Sequence, residues 1–129
     1  MPTVHKLGDG YEPHVDEVDG QLVYSLPVDS SFVSVEFSFD IDQQDLDVLL
    51  SDPYRRAVLE SVAHTVLQRS MIRGNPKVEQ EAFTGLVSSV LHSTPAMLKH
   101  YIAAIDRDHH IRTAFYVEQT LARRGAGKP

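Results

Sequence analysis

Residues 22–40 read LVYSLPVDSSFVSVEFSFD, and this stretch decides the fold. Apolar side chains occupy every second position in two runs, Leu22, Tyr24, Leu26 and Val28 in the first and Val33, Val35, Phe37 and Phe39 in the second. A period of two is the pattern of a half-buried β-strand. The polar segment Asp29-Ser30-Ser31 between the runs predicts a hairpin turn, and Asp19-Gly20 and Asp9-Gly10 predict two more, because glycine accepts positive φ. We therefore predict an antiparallel meander of three or four strands.

From residue 42 onward the apolar period becomes helical. The clearest stripe has the spacing i, i+1, i+4, i+5, i+8 and i+9 and consists of Val58, Leu59, Val62, Ala63, Val66 and Leu67. Weaker stripes predict a short helix around residues 46–50 and three more over residues 78–91, 98–105 and 111–122, the last ending at Gly125.

Helix starts are marked by capping residues. Asp42 is the predicted N-cap of the first helix. The pairs Asp52-Pro53, Asn75-Pro76 and Thr94-Pro95 each place a capping side chain before a proline, which loses nothing by lacking an N–H in the first turn. These pairs predict the starts of three further helices.

Strands followed by helices predict an α+β fold, with four or five helices packed on one face of the sheet. The chain of 129 residues has the common size of one compact domain. We expect a single domain that is mainly β over residues 1–39 and mainly α over residues 42–124, with residues 125–129 as a tail.

Charge is distributed very unevenly along the chain. Residues 1–52 hold twelve Asp and Glu against one Lys, a formal charge of −11, whereas the other 77 residues hold six acids against eleven Lys and Arg, a charge of +5. A surface of one sign attracts partners of the opposite sign and repels nucleic acid and anionic lipid. The split therefore predicts a basic partner.

Motifs for chemistry are missing. The chain has no cysteine, no GxSxG elbow, no phosphate-binding glycine loop and no HExxH motif, so we expect no catalytic residues, no metal and no cofactor. Two histidine groups keep an enzyme or metal site open as the alternative: Glu60 with His64, and the segment Asp106-Arg107-Asp108-His109-His110. The simpler interpretation of the first is an exposed i,i+4 pair, and of the second a helix start capped by Asp106 or Asp108.

Arginines of the second half are the basis of a third possibility, an adaptor or weak nucleic-acid-binding helical module. They are Arg55, Arg56, Arg69, Arg73, Arg107, Arg112, Arg123 and Arg124. The helices that would carry a helix-turn-helix are poor in base-reading side chains, and the −11 half opposes binding to a polyanion. Nucleic acid is therefore the less favoured partner.

A small, acidic, cysteine-free domain without catalytic motifs resembles the immunity proteins of bacterial polymorphic toxin and contact-dependent growth-inhibition systems in size, charge and organisation over the whole chain. The resemblance implies a stoichiometric inhibitor of one cognate toxin, often a basic nuclease, in the cytoplasm. The absence of a long apolar run predicts no membrane association. The oligomeric state stays open.

The partner-binding residues are predicted within residues 1–52, which we call the acidic half. Carboxylates would supply charge, and outward-facing aromatic residues would supply anchors. The predicted set is Asp16, Glu17, Asp19, Tyr24, Asp29, Phe32, Glu36, Asp40, Asp42 and Asp45, with Tyr11 as a further aromatic candidate.

Overall fold

The fold is known from a computed structural model that describes residues 3–9, 12–30 and 33–126. The strands are β1 (Thr3–Leu7), β2 (His14–Val18), β3 (Gln21–Ser30) and β4 (Val33–Ile41). The helices are α1 (Gln43–Ser51), α2 (Pro53–Ser70), α3 (Gln80–Leu91), α4 (Pro95–His109) and α5 (Thr113–Ala126). The predicted α+β fold, a meander followed by helices, is confirmed.

The sheet has the order β1-β2-β3-β4, and every neighbouring pair is antiparallel. Asp19 and Gly20 both have positive φ, 53° and 81°, which suits the predicted tight turn between β2 and β3. Strands β3 and β4 pair without interruption from Leu22 opposite Ile41 to Ser30 opposite Val33. Two residues of predicted turns, Gly10 and Ser31, lie outside the described residues.

The helices cover one face of this sheet, and the core lies between the two layers. The apolar members of the β3 run, Leu22, Tyr24, Leu26 and Val28, are all buried. At the centre the ring of Phe39 stacks on that of Phe83 from α3, with centroids 4.1 Å apart and planes inclined by 8°. Alternation in β3 and β4 therefore selects the core-facing side, as predicted.

Three predicted N-caps are confirmed by hydrogen bonds to the first turn of their helices. The side chain of Asp42 accepts from the backbone N–H of residue 45 at 2.8 Å, that of Asp52 from residue 55 at 3.0 Å, and that of Thr94 from residue 97 at 3.1 Å. Each oxygen satisfies a donor that has no partner within the helix.

The prediction that Asn75-Pro76 starts a helix is wrong. The side-chain amide of Asn75 donates to the carbonyl of Arg69 at 2.9 Å, so it satisfies the end of α2 rather than the start of α3. Helix α3 begins at Gln80, and Val78 packs against the core from the preceding loop. A capping side chain before proline serves either purpose, and the tertiary contacts decide between them.

The predicted helix end at Gly125 and the predicted tail over residues 125–129 are also too early, since α5 continues to Ala126. Strand β4 likewise extends two residues beyond the expected limit of residue 39. Within the described ranges, no helix combines the length and apolar character that crossing a membrane requires.

Candidate functional site

Carboxylates of the acidic half divide into a paired and an unpaired group. Five of the twelve have a basic side chain within 4.0 Å: Glu12, Asp16, Glu17, Asp45 and Asp52. Their partners are the arginines of α2 and α5 for Glu12 and Asp52, and histidines or Lys6 for the other three. These five contribute less to the external field than the sequence alone suggests.

A group of exposed carboxylates has no such partner among residues 3–9, 12–30 and 33–126. We call it the acidic corner, and it consists of Glu36, Asp40, Asp42, Asp47, Glu79 and Glu81. It draws on the outer face of β4, the start of α1 and the start of α3. Two of its members, Glu79 and Glu81, come from the second half of the chain.

Hydrogen bonds of Gln80 join α3 to β4 within this corner. Its side-chain oxygen accepts from the N–H of Asp40 at 2.7 Å, and its side-chain nitrogen donates to the carbonyl of the same residue at 2.9 Å. The amide thus replaces one residue of a neighbouring strand. It places the start of α3, which carries Glu79 and Glu81, beside β4.

The start of α1 brings Asp42 and Asp47 to the acidic corner. Asp42 and Asp45 form a capping box, in which each side chain accepts from the backbone N–H of the other at 2.8 and 3.0 Å. Asp47 lies on the same helix and accepts from the side chain of Gln43 at 2.9 Å. Negative charge is favourable near the positive ends of helix dipoles, so α1 and α3 tolerate this concentration of like charge.

The structure brings only part of the predicted partner-binding set together. Glu36, Asp40 and Asp42 belong to the acidic corner, and Asp19 lies at the same end of the sheet, since the neighbouring Gln21 donates to the carbonyl of Ile41 at 3.1 Å. The remaining carboxylates lie elsewhere or face inward.

Asp29 is at the other end of β3, where its carbonyl accepts from the side chain of Gln68 at 2.8 Å. Asp16 and Glu17 pair with residues of β1 and β2. Asp45 is 9 % exposed and lies 2.6 Å from the ring of His92, so it is a buried structural residue rather than a surface charge.

The prediction that Tyr24 is an exposed anchor is wrong. Its side chain is 2 % exposed and its ring lies 5.8 Å from that of Phe83, because the alternation of β3 turns residue 24 toward the helices together with Leu22 and Leu26. The other aromatic candidates, Phe32 and Tyr11, lie outside the described residues.

Two exposed apolar side chains were missed, one beside the acidic corner and one at the far end of β4. Val33 is 57 % exposed although it belongs to the core-facing run of β4, and Leu50, one turn after Asp47, is 56 % exposed. The alternation of β4 does carry a signal for Val33. The sequence does not reveal, however, that the helical layer stops short of that end of the strand.

Glu60, expected at the surface, lies in a largely buried ion cluster with Glu12, Arg56 and Arg124. The Nη2 atom of Arg124 donates to Glu60 Oε1 at 2.7 Å, lies 2.6 Å from Oε2, and donates to Glu12 at 3.1 Å. Arg56 lies 3.0 Å from Glu12 and 3.9 Å from Glu60. The prediction of an exposed Glu60–His64 pair is therefore wrong.

Burial dominates the titration of this ion cluster. It raises the pKa of Glu60, while the guanidinium groups of Arg124 and Arg56 oppose the rise. Tyr24 lies close enough to be affected: burial and the charge of Glu60 raise the pKa of its hydroxyl, which has no hydrogen-bond partner among the described residues.

The two histidine groups of the alternative hypothesis converge on one open cleft of about 1160 Å³ between α2, α5 and the end of β3. Its lining includes His64, His109 and His110, and burial lowers the pKa of the first two. The carboxylate of Asp106 is occupied by hydrogen bonds to Thr113. It accepts from the backbone N–H of Thr113 at 2.9 Å and from its hydroxyl at 2.5 Å, so it caps α5, although its own residue belongs to α4.

The histidines of the cleft form no metal-binding group among the described residues. In the described part of the chain, nothing donates to or accepts from the ring of His64, and no three His, Cys, Asp or Glu side chains stand where they could hold one metal ion. A base that activates a nucleophile is typically oriented by a third group.

Four of the eight arginines proposed for a nucleic-acid surface bind groups of the same chain outside their own helix. Arg55 donates to the carbonyls of Val90 and Ser93 at 2.8 Å and so holds the end of α3. Arg56 and Arg124 belong to the ion cluster, and Arg69 donates to the carbonyl of Asp108 at 3.0 Å. These four arginines are therefore less available to phosphate groups than the sequence suggests.

Comparison with known proteins gives no relative. No protein-family model, no curated protein and no solved structure matches this chain.

Proposed function

We propose that this chain is a stoichiometric binding protein that covers the basic surface of a protein partner with its acidic corner. The observation that carries the proposal is the set of six exposed carboxylates from three elements, none of which has a basic neighbour within 4.0 Å in the described part of the chain. The proposed partner is a toxin, and a nuclease suits it best. The proposed class is that of bacterial immunity proteins, acting in the cytoplasm.

The physics of a nuclease supports this choice of partner. An enzyme that cleaves RNA or DNA presents positive charge to the phosphates of its substrate, and much of its affinity for that substrate is electrostatic. A rigid group of carboxylates competes for the same surface. Charge of one sign on a small protein also speeds encounter, so inhibition can keep pace with substrate binding.

Backbone rigidity strengthens the acidic corner as a binding surface. Asp42 is fixed by the capping box, and the backbone of Asp40 is held by two hydrogen bonds with Gln80, one donated and one accepted. Side chains on a pre-organised backbone lose less conformational freedom on binding than those on a flexible loop. Leu50, one turn after Asp47, adds exposed apolar area close to these charges.

The test compares two pairs of substitutions that remove equal charge. The corner variant is Glu36→Gln with Asp40→Asn, and the control is Asp108→Asn with Glu118→Gln, whose carboxylates are exposed on other elements. The partner is first isolated from the producing organism, with the product of the neighbouring gene as the leading candidate. Association rates of the purified pair are then measured by stopped flow at low and at physiological salt.

We expect the corner variant to associate several-fold more slowly at low salt and with a weaker salt dependence, whereas the control variant behaves as the wild type. Cleavage of RNA or DNA by the partner should be inhibited at a 1:1 ratio. Equal association rates for the two variants, or an acidic partner, would show that the acidic corner is not the binding surface.

A further inference from the structure

Strand β4 is the last strand of the sheet, and no strand pairs with its outer edge among the described residues. Gln80 binds both backbone groups of Asp40, which shows that residue 40 directs its N–H and C=O away from β3. Alternate residues of an antiparallel strand point the same way, and the register with β3 is uninterrupted. Ser34, Glu36 and Ser38 therefore direct their backbone groups to the same free edge.

Nothing in residues 3–9, 12–30 and 33–126 occupies this edge before Asp40. No backbone or side-chain group there bonds to the main chain of Ser34, Glu36 or Ser38, and the hydroxyl of Ser38 is bonded sideways to Ser25 at 2.9 Å. The three residues offer three donors and three acceptors in a row. Gln80 ends the row.

The other edge of the sheet is protected in the way that proteins normally protect edges. Strand β1 has only five residues, carries Lys6 and has a register irregularity between His5 and Leu7. Strand β4 has nine residues, with no lysine, no proline and a regular register. The only protection of this edge is the negative charge of Glu36 and Asp40, which repels acidic segments but not basic ones.

We propose that the β4 edge accepts an extended segment of the basic partner as a fifth strand, one in which basic and apolar residues alternate. On the outer face the new strand would lie beside Glu36 and Asp40, which favour Lys or Arg. On the helix-facing side it would lie beside Val35 and Phe37, which are half-buried, and near the exposed Val33. Main-chain hydrogen bonds would supply affinity and the two rows of side chains would supply specificity.

Charge argues against a second copy of this chain as the occupant. When two copies pair antiparallel through residues 34–38, a register centred on Glu36 puts two Glu36 side chains opposite each other, and one centred on Ser38 puts Glu36 opposite Asp40. Registers centred on residue 35 or residue 37 place the two Glu36 side chains on a diagonal. Like charges at such positions destabilise a pair of strands.

The inference rests on the proposed function, since it specifies how the acidic corner holds its partner. Its experiment uses the full chain labelled with ¹⁵N and three synthetic seven-residue peptides. The first has the sequence Lys-Val-Lys-Thr-Lys-Val-Lys, the second is the same peptide with alternate backbone amides N-methylated, and the third has Glu in place of Lys. Titrations are followed through the amide signals of β4, together with amide hydrogen exchange.

In the free protein we expect the amides of Ser34, Glu36 and Ser38 to exchange fast, while those of Val35 and Phe37, paired with β3, exchange slowly. The lysine peptide should shift the signals of the three edge residues and slow their exchange. The N-methylated and glutamate peptides should not do so. Glu36→Lys with Asp40→Lys should weaken binding of the lysine peptide about tenfold at low salt.

Slow exchange of the three edge amides in the free protein, or equal binding of the plain and N-methylated peptides, would overturn the inference. A concentration-dependent dimer in which exchange at the edge slows without peptide would also overturn it, in favour of a second copy. Failure here is distinguishable from failure of the proposed function. If the N-methylated peptide binds as well as the plain one and the charge variant weakens both, the acidic corner binds by charge alone.

Discussion

Replacing Arg124 by methionine should destabilise the protein strongly at neutral pH. The side chains of Arg124 and Glu60 are 16 % and 12 % exposed, and their charged atoms approach to 2.6 Å. With charge centres about 4 Å apart and an effective dielectric constant of about 20, such a pair attracts by about 4 kcal/mol. Removal of one member leaves the other charge buried without its main partner.

We expect a loss of about 3 kcal/mol, the lower end of the range of about 3–5 kcal/mol for breaking a buried pair, because Arg56 still lies 3.9 Å from Glu60. In urea denaturation followed by circular dichroism, a slope of about 1.5–2 kcal/mol per molar makes this a fall of about 1.5–2 M in the midpoint.

The loss should depend on pH through Glu60. Burial holds the pKa of this carboxyl above its ordinary value of 4.5. A raised folded-state pKa means that the stability linked to the protonated form is complete below the ordinary value and is lost as the pH rises through the folded value. Arg124 is the largest influence that opposes the rise, so without it the folded pKa increases further. The deficit of the variant should therefore shrink as the pH falls from about 8 toward about 4.5.

Two further variants separate the ion pair from other effects. Arg123→Met makes the same change at the neighbouring, exposed position and should alter stability by no more than about 0.5 kcal/mol. Glu60→Met combined with Arg124→Met removes both charges, leaves Arg56 with Glu12 at 3.0 Å, and should recover at least half of the loss. A deficit below about 1 kcal/mol at pH 7, or one that is the same at pH 5 and pH 8, would refute this reasoning.

Two other predictions concern single groups. Tyr24→Phe removes a buried hydroxyl that has no partner among the described residues, so we expect a gain of about 1 kcal/mol and a Tm higher by about 4 °C; a lower Tm would indicate a hydrogen bond that the substitution breaks. The hydrogen bond with Asp16, aided by the carbonyl of Gly8, raises the pKa of His5, so its NMR titration should lie above 6.5 and return toward that value in Asp16→Asn. The stability linked to charged His5 is present below pH 6.5 and lost as the pH rises through its folded pKa. His64, whose pKa burial lowers, serves as the unchanged reference. A wild-type His5 that titrates at or below 6.5 would contradict this assignment.

Local signals predicted most of the fold. Alternation over residues 22–40 identifies both long strands, and Asp42, Asp52 and Thr94 cap helices in the structure as they do in the pattern. These signals succeed because the groups that satisfy one another lie within three or four residues. Asn75 fails because its side chain bonds backward to α2, a choice that depends on how the whole loop folds against the core.

The candidate site was less predictable because its charges are sorted by contacts between distant residues. Glu60 and Arg124 are 64 residues apart in sequence, and neither the spacing nor the composition of either segment indicates that they meet. Tyr24 is a different case. Its place in the alternation with Leu22 and Leu26 already predicts an inward side chain. The prediction of an exposed anchor was therefore inconsistent with the pattern of β3 itself.

Charge asymmetry in this chain therefore has two physical meanings that require different experiments. Where a carboxylate of the first half meets an arginine of the helices, as Glu12 meets Arg56 and Arg124, the charge fixes the packing of α2 and α5 and its removal changes stability. Where it remains exposed and caps no helix, as at Glu36 and Asp40 of the acidic corner, removal changes folding little and alters only the field that a partner meets. A substitution that weakens association is therefore informative about binding only when stability is unchanged. We expect substitutions of Glu36 and Asp40 to meet that condition and a substitution of Glu12 to fail it.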